Sequence, residues 1–411
     1  MSARSGLPLG SSADTREAPI YALTTLDEDQ QALREMVAKV AADRYAPRAR
    51  EWDDQRAPLP TEERRFLADL GLLAITLPEE HGGAGRPLAD ALVAIEELAK
   101  VSPVAAWPVF EACTGPARVI HLFGTPGQQA RLLPPVISGE TTLALCISEP
   151  EAGSAATDMV TRARVDGDTV VVNGVKRWCS GAGHAEQYLV YVRLTDAPGA
   201  GGIGALVVDR DTPGLSFGPQ ESLMGFRGIG SADMFFDNVR VPVENVIVGA
   251  GGFSRLFTAF SIERLGNATM ALAIGQTALD RTARYIRERR QFGRPVADFQ
   301  LVQGALADMV EKVAAARLLI RAAALEAGRG APSALAASLA KYNANKMAKE
   351  VSDLAIQLHG GYGYSVEYEV ERLHRDAHGW ALAGGTLNMQ RLRIASEYLG
   401  TRLRQRLPHL E

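Results

Sequence analysis

The stretch GAGGFSRLFTAFSIERLGNATMALAIGQTALDRTARYIRERRQFGRP, residues 249–295, decides how the rest of the chain is read. It opens on a glycine-rich break, after which apolar residues recur at helical spacing at Leu256, Phe260, Met270, Ile274, Leu279 and Ile286. Gly293 and Pro295 mark a turn at its far end, so one long helix is expected from Phe253 to about Arg290. In the middle of that helix stands a carboxylate, Glu263, whose neighbours at three and four positions are Ala259, Phe260, Gly266 and Asn267. Such a group either points to solvent beside Arg264 or is kept in a dry pocket.

Downstream the helical pattern continues over Phe299–Arg329, Ser333–Leu358 and a segment near Leu387–Arg406. Upstream, from Thr141 to about Val248, the signals are short strands: Val170 to Val172, Tyr188 to Val192, Ala205 to Val208 and Met234 to Phe236. Asp166-Gly167 and Asn173-Gly174 are expected as hairpin turns, which makes an antiparallel domain. Further upstream come helices. Leu33, Met36, Val37 and Val40 make one apolar face on a helix that should stop before Pro47. A second starts at Thr61 and ends at Gly71, a third covers Leu88 to Lys100, and Pro134-Pro135 should close a fourth through Gln128 to Leu133. The expected class is α+β: a flexible tail (1–24), a helical N-terminal domain (25–140), an antiparallel β-domain (141–250) and a C-terminal helical domain (251–411).

At 411 residues the chain can bury a large core, and 46% hydrophobic with 22% charged residues describes an ordinary globular protein. A net charge of −4 gives no basic field for nucleic acid. No apolar run nears the ~20 residues of a membrane span. Cys113, Cys146 and Cys179 are few, odd in number and far apart, which favours free thiols in a reducing compartment. The acidic, Ser- and Gly-rich N-terminus makes a poor targeting peptide, so a cytoplasmic location is expected.

Two motifs are decoys. Gly199 to Gly204 fits G-x-G-x-x-G, but a strand follows where a phosphate-binding helix should begin, so it reads as a hairpin loop. His374 and His378 are four apart but lack an intervening Glu or a third ligand, so no metal is expected. The informative residues lie in three separated runs: Ser148-Glu149-Pro150-Glu151-Ala152-Gly153-Ser154; Lys176 to Gly181; and Arg289 to Pro295 with Phe299-Gln300 and Gln357 to Gly361.

On these runs the sequence resembles the acyl-CoA dehydrogenase family from about Leu26 to Arg406. The resemblance implies that the C-terminal helices form a four-helix bundle, with FAD between the β-domain and that bundle. By that match Ser148 would bond the flavin ring, Ser154 would line the pantetheine path, Trp178 would lie against the flavin and Ser180 would aim its hydroxyl at N5. Arg289 would hold the pyrophosphate with its guanidinium fork. Phe292, Gln300, Gln357, Gly360 and Gly361 match contacts from a neighbouring subunit, which implies a homotetramer built as a dimer of dimers. Electron-transfer flavoprotein is the implied electron acceptor.

The family's last motif, Arg-Asp-Ala followed by Glu-Gly-Thr, is present as Arg375-Asp376-Ala377 and then Gly384-Gly385-Thr386. The usual catalytic Glu is therefore Gly384, while Thr386 keeps its place among the cofactor contacts. A subset that includes isovaleryl-CoA and long-chain acyl-CoA dehydrogenases carries its base in a Glu-Arg pair on the first long helix of the last domain. Counting back from Gln276 and Asp280 puts Glu263-Arg264 in register with that pair. The resemblance then makes Glu263 the base, with Phe260 and Met270 drying its pocket and raising its pKa. Gly384 and Gly385 would supply a backbone donor to the thioester carbonyl, and Ser261 and Arg264 would face the carrier arm. The implied reaction is α,β-dehydrogenation of an acyl thioester of coenzyme A or an acyl carrier protein. An oxidase or a flavin monooxygenase on the same fold is the enzymatic alternative, and a non-catalytic partner subunit the other.

Overall fold

The computed structural model describes residues 26–403 and 405; the expected tail over 1–24 and the Arg406 end of the last helix lie outside them. The first part is helical: α1 (Glu28–Val40), α2 (Ala49–Gln55), α3 (Thr61–Asp69), α4 (Leu88–Val101), α5 (Pro103–Cys113), α6 (Pro116–Phe123) and α7 (Pro126–Ile137). Asp27 caps α1 by accepting from the Gln30 amide at 2.8 Å. Helices α5 and α6, which the sequence reading passed over, begin on Pro103 and Pro116, where a missing N–H leaves no helix bond unmade. Pro134 and Pro135 do not close α7 but lie within its last turns. Two prolines there remove few helix bonds, buried Leu133 and Val136 hold the turn, and the helix stops only where Gly139 turns to φ +72°.

The second part is one sheet of β1 (Leu143–Cys146), β2 (Arg162–Asp166), β3 (Thr169–Ser180), β4 (Gln187–Arg193), β5 (Ile203–Asp209), β6 (Leu215–Phe217), β7 (Ser231–Pro242) and β8 (Val246–Val248). Its order is β6-β7-β3-β2-β4-β5-β8, with β1 also on β4. The pairing is antiparallel except that β1 and the first residue of β2 run parallel to β4. Asp166-Gly167 is the expected β2–β3 turn, and the glycine loop at 199–202 joins antiparallel β4 and β5. Asn173-Gly174 is not a turn. It is a bulge inside β3, where Gly174 takes φ +145° and a Cβ would come within 2.5 Å of the Thr161 hydroxyl oxygen.

The last part holds α8 (Phe253–Glu288), a short hairpin of β9 (Arg290–Gln291) and β10 (Arg294–Pro295), then α9 (Gln300–Ala327), α10 (Ala334–His359), α11 (Val370–Leu382) and α12 (Leu387–Leu399). Strand β4 shows how the layers join. Leu189 and Tyr191 enter a core shared with the helices before and after the sheet, while Tyr188, Val190 and Val192 enter a separate core on the other face. Helix α8 is the axis of the shared core and packs most extensively on α10, then on α4, α9 and α11. Its buried Leu256, Ile262, Leu265, Met270, Ile274, Leu279 and Ile286 each contribute about 1.5–3 kcal/mol of burial.

Candidate active site

Helix α8 carries Glu263 to the turn that follows α11. That turn, Ala383-Gly384-Gly385, is left-handed at Gly384 (φ +64°), and a Cβ built there would sit 3.0 and 3.1 Å from the two Glu263 carboxylate oxygens. The carboxylate thus occupies the space beside position 384 that a side chain would otherwise claim. Its Oε2 is buried and has no hydrogen-bond partner. Burial pushes the Glu263 carboxyl up to about 7, against the opposing pull of Lys341 and then Arg264.

The groups around it are ionisable too. Lys341, on α10, is fully buried and donates to Asn267 Oδ1 at 2.9 Å and to the carbonyls of Trp380 and Ala383 at 3.2 and 2.7 Å. Burial draws its ammonium down to about 7, while Glu263 holds it up. Asn345 donates to the same Asn267 oxygen at 2.8 Å. Glu111 of α5 is buried, and burial together with the Glu263 charge holds its carboxyl well above the usual range. The buried Tyr191 hydroxyl of β4 has no hydrogen-bond partner and is raised by burial and by Glu263. An apolar wall stands nearby: Trp107 stacks on Phe110 (centroids 5.1 Å apart), and Trp380 packs on Phe110 at 5.7 Å and on Phe226 at 4.6 Å. Ser261 is buried, with its hydroxyl turned back to the Phe257 carbonyl. Arg264 is buried over the rings of Phe257 and Phe260.

A second surface lies along β3. Its register slips between Lys176 and Cys179, and at the slip Trp178 takes φ +60° with its indole 52% exposed, the Arg177 guanidinium 4.3 Å from the ring. The loop from Ser148 is tied to this strand twice. The Arg177 amide donates to the Ser148 carbonyl at 2.9 Å, and buried Glu149 pairs with buried Lys176 at 2.8 Å. Glu149 also accepts from the amides of Val160 and Thr161, which fixes both ends of the run holding Ser154. Ser154 is exposed and Ser180 half-buried. An open indole, flanking hydroxyls and backbone groups suit a planar heteroaromatic ring such as a flavin.

The third group gathers at the far end of α8. The Arg289 guanidinium lies 5.3 Å from the Tyr362 ring, and Tyr285 stacks on His359 at 4.2 Å. Beside them Gly360 turns at φ +59°, and both Gly360 and Gly361 have open space where a Cβ would be. Phe292, at the hairpin tip, is 93% exposed, and Gln300 and Gln357 are exposed. A guanidinium beside glycine amides is a donor set for phosphate oxygens. Thr386 caps α12, accepting from the Met389 amide at 3.4 Å. The sequence reading missed Lys341 and Glu111, and it placed Asn267 beside Glu263 without giving it a role. The available signal was a lysine in phase with the buried stripe of Ala337, Ala340, Ala344 and Ala348.

Models of the three domains of one family match the chain in order: the acyl-CoA dehydrogenase N-terminal domain over 27–140, the middle domain over 144–239 and the C-terminal domain over 250–399. The chain belongs to the acyl-CoA dehydrogenase family. Family members are FAD-dependent oxidoreductases. Among relatives, the 3-sulfinopropanoyl-CoA desulfinase of Paraburkholderia xenovorans is 37% identical over 387 residues, 93% of this chain and 98% of that protein. The cyclohex-1-ene-1-carbonyl-CoA dehydrogenase of Syntrophus aciditrophicus is 37% identical over 373 residues, 90% of each chain. Butyryl-CoA dehydrogenase from Megasphaera elsdenii is a structural neighbour, with a TM-score of 0.88 at 31% identity over 92% of this chain and 99% of its own. Among the described residues no helix is long and apolar enough to cross a membrane, and no three side chains gather as a metal site.

Proposed function

We propose that this acyl-CoA dehydrogenase family member oxidises the α,β-bond of an acyl-CoA thioester, with Glu263 as the base that takes the α-proton. The observation that carries the reading is the Glu263 carboxylate 3.0–3.1 Å from the Cβ position of Gly384. Loss of the side chain at one position and arrival of a carboxylate at the same spot from α8 fit together as one exchange of position. Burial supports the role: a carboxyl near pKa 7 is a stronger base than a solvated one and is still ionised in about half of the molecules at neutral pH. Such a positioned base contributes about 10²–10⁴-fold to rate. The amides at Gly384 and Gly385 are candidates to meet charge developing on the thioester oxygen.

Ser148, Ser154, Trp178 and Ser180 would hold the flavin end of FAD; Arg289, Phe292, Gln300, Gln357, Gly360, Gly361 and Thr386 would hold the rest. When bound, FAD supplies the hydride acceptor. A homotetramer in which one subunit's Arg289 corner serves another's flavin site is part of the proposal, and exposed Phe292 supports it. Electron-transfer flavoprotein is the proposed acceptor; a structure entitled "Electron transferring flavoprotein of Acidaminococcus fermentans" superposes with a TM-score of 0.88 at 33% identity. The test is anaerobic mixing of the yellow holoprotein with a panel of acyl-CoA and acyl-carrier thioesters. A substrate should bleach the wild type and leave Glu263→Gln coloured. Undiminished bleaching in that variant removes Glu263 from the reaction, and rapid return of colour in air identifies an oxidase.

A further inference from the structure

Lys341 is a buried cation without a hydrogen-bonded carboxylate. Its three acceptors are Asn267 Oδ1 and the carbonyls of Trp380 and Ala383. An ammonium has three N–H donors and satisfies all three; a neutral amine has two and would turn a lone pair toward one of them. The two carbonyls end α11 and begin the Gly384 turn, and Asn267 lies one helical turn beyond Glu263 on α8. The Asn267 oxygen is fixed toward Lys341 because it also accepts from Asn345, which leaves the amide nitrogen to donate to the same Trp380 and Ala383 carbonyls at 3.4 Å each, 3.5 Å from the Cβ position of Gly384. One side chain therefore joins α8, α10, α11 and the turn beside Glu263.

We propose that Lys341 is a positioning residue for the base: its ammonium ties Asn267 and the carbonyls of Trp380 and Ala383 into one buried cage, which holds the Gly384 turn against Glu263 and, in its protonated form, sets a positive charge near that carboxylate. The inference rests on the reading of Glu263 as base. The charged and titratable groups around the carboxylate are Arg264 on its own helix, Lys341 on α10, Glu111 on α5 and Tyr191 on β4. Arg264 and Lys341 favour the ionised base, burial pushes Glu111 toward its neutral form, and Lys341 exerts the larger pull of the two cations. Without Lys341 the carboxylate keeps its burial and loses the larger of the two charges that offset it.

The test is the pH profile of kcat/KM in holoenzyme variants, using the thioester that bleaches the wild type. Lys341→Gln should move the acid limb up by about one to two pH units, so that the loss of kcat/KM is at least about tenfold greater below the limb than above it. Lys341→Arg should return the limb toward its wild-type position. A uniform loss with the limb unmoved assigns Lys341 a merely structural role and overturns the inference. Glu263→Gln separates the two claims: full activity there overturns the base, whereas an inactive Glu263→Gln with an unmoved Lys341→Gln limb overturns only the role of Lys341. If Lys341→Gln does not fold, ¹⁵N-lysine spectra of the wild-type holoenzyme carry the test. Only Lys176 and Lys341 are buried among the described lysines, and the Lys341 signal should titrate at lower pH in Glu263→Gln. A buried-lysine spectrum indifferent to Glu263→Gln overturns the inference.

Discussion

Gly384→Ala perturbs the proposed site with a single methyl group. The new Cβ meets two strains at once. At φ +64° an L-residue costs about 1–2 kcal/mol, because Cβ crowds the following carbonyl. The methyl would also lie 3.0 and 3.1 Å from the Glu263 oxygens, several tenths of an ångström inside ordinary contact. The carboxylate is the end of a flexible side chain, so it yields before the backbone does, and by a few tenths of an ångström. A misplacement of 1 Å can cost about 10²-fold in rate, so a shift of this size should cost about three- to tenfold in kcat. The fold should survive with a thermal midpoint a few degrees lower, since about 1–2 kcal/mol is small for a chain of this length. The assay is anaerobic single-turnover bleaching by stopped flow, for Gly384→Ala alone and with Glu263→Gln. In the double variant the methyl has no base to displace and should add little to the loss already caused by Glu263→Gln. A Gly384→Ala rate equal to wild type, or a full multiplicative loss in the double variant, refutes the geometry of the argument.

Three further outcomes follow from the same structure. Because the active base is the ionised form and burial sets its pKa near 7, kcat/KM should rise with pH through about 7 and be lost as pH falls below it; a limb at the ordinary carboxylate value removes the dry pocket. Glu149→Gln leaves Lys176 as a buried, uncompensated charge, which should destabilise the chain by about 3–5 kcal/mol in denaturant unfolding and loosen the Ser148–Ser154 loop, with less FAD retained on gel filtration. Phe292→Asp alters a side chain 93% exposed, so it should change chain stability by no more than about 0.5 kcal/mol yet shift sedimentation toward smaller assemblies; an unchanged assembly rules out Phe292 as an interface residue.

What was legible in the sequence was what repeats or breaks locally. The 3.6-residue period after Gly252 located α8 within two residues of its observed end, and Asp166-Gly167 marked a real turn. The same local logic misread Asn173-Gly174, because a glycine with positive φ serves a bulge as well as a turn, and only the close approach of Thr161 from elsewhere in the chain decides between them. Pro134-Pro135 misled for a related reason: near a helix end the lost hydrogen bonds are outweighed by burial of Leu133 and Val136. At the site, the vacancy at Gly384 and the carboxylate at 263 could be paired by counting residues. The Lys341 cage could not, since its partners are two main-chain carbonyls and an amide brought together from three other segments. Glu111 was hidden likewise, a charged letter in an apolar helix whose neighbour in space is 152 positions away.

The most direct measurement is hydrogen exchange at the α-carbon of the bound thioester in D₂O, followed by mass spectrometry, which reports proton removal apart from hydride transfer. The wild type should wash deuterium into that position, and Glu263→Gln should slow the wash-in by about 10²–10⁴-fold while binding the same thioester. Equal exchange in the two proteins would mean that another group removes the proton.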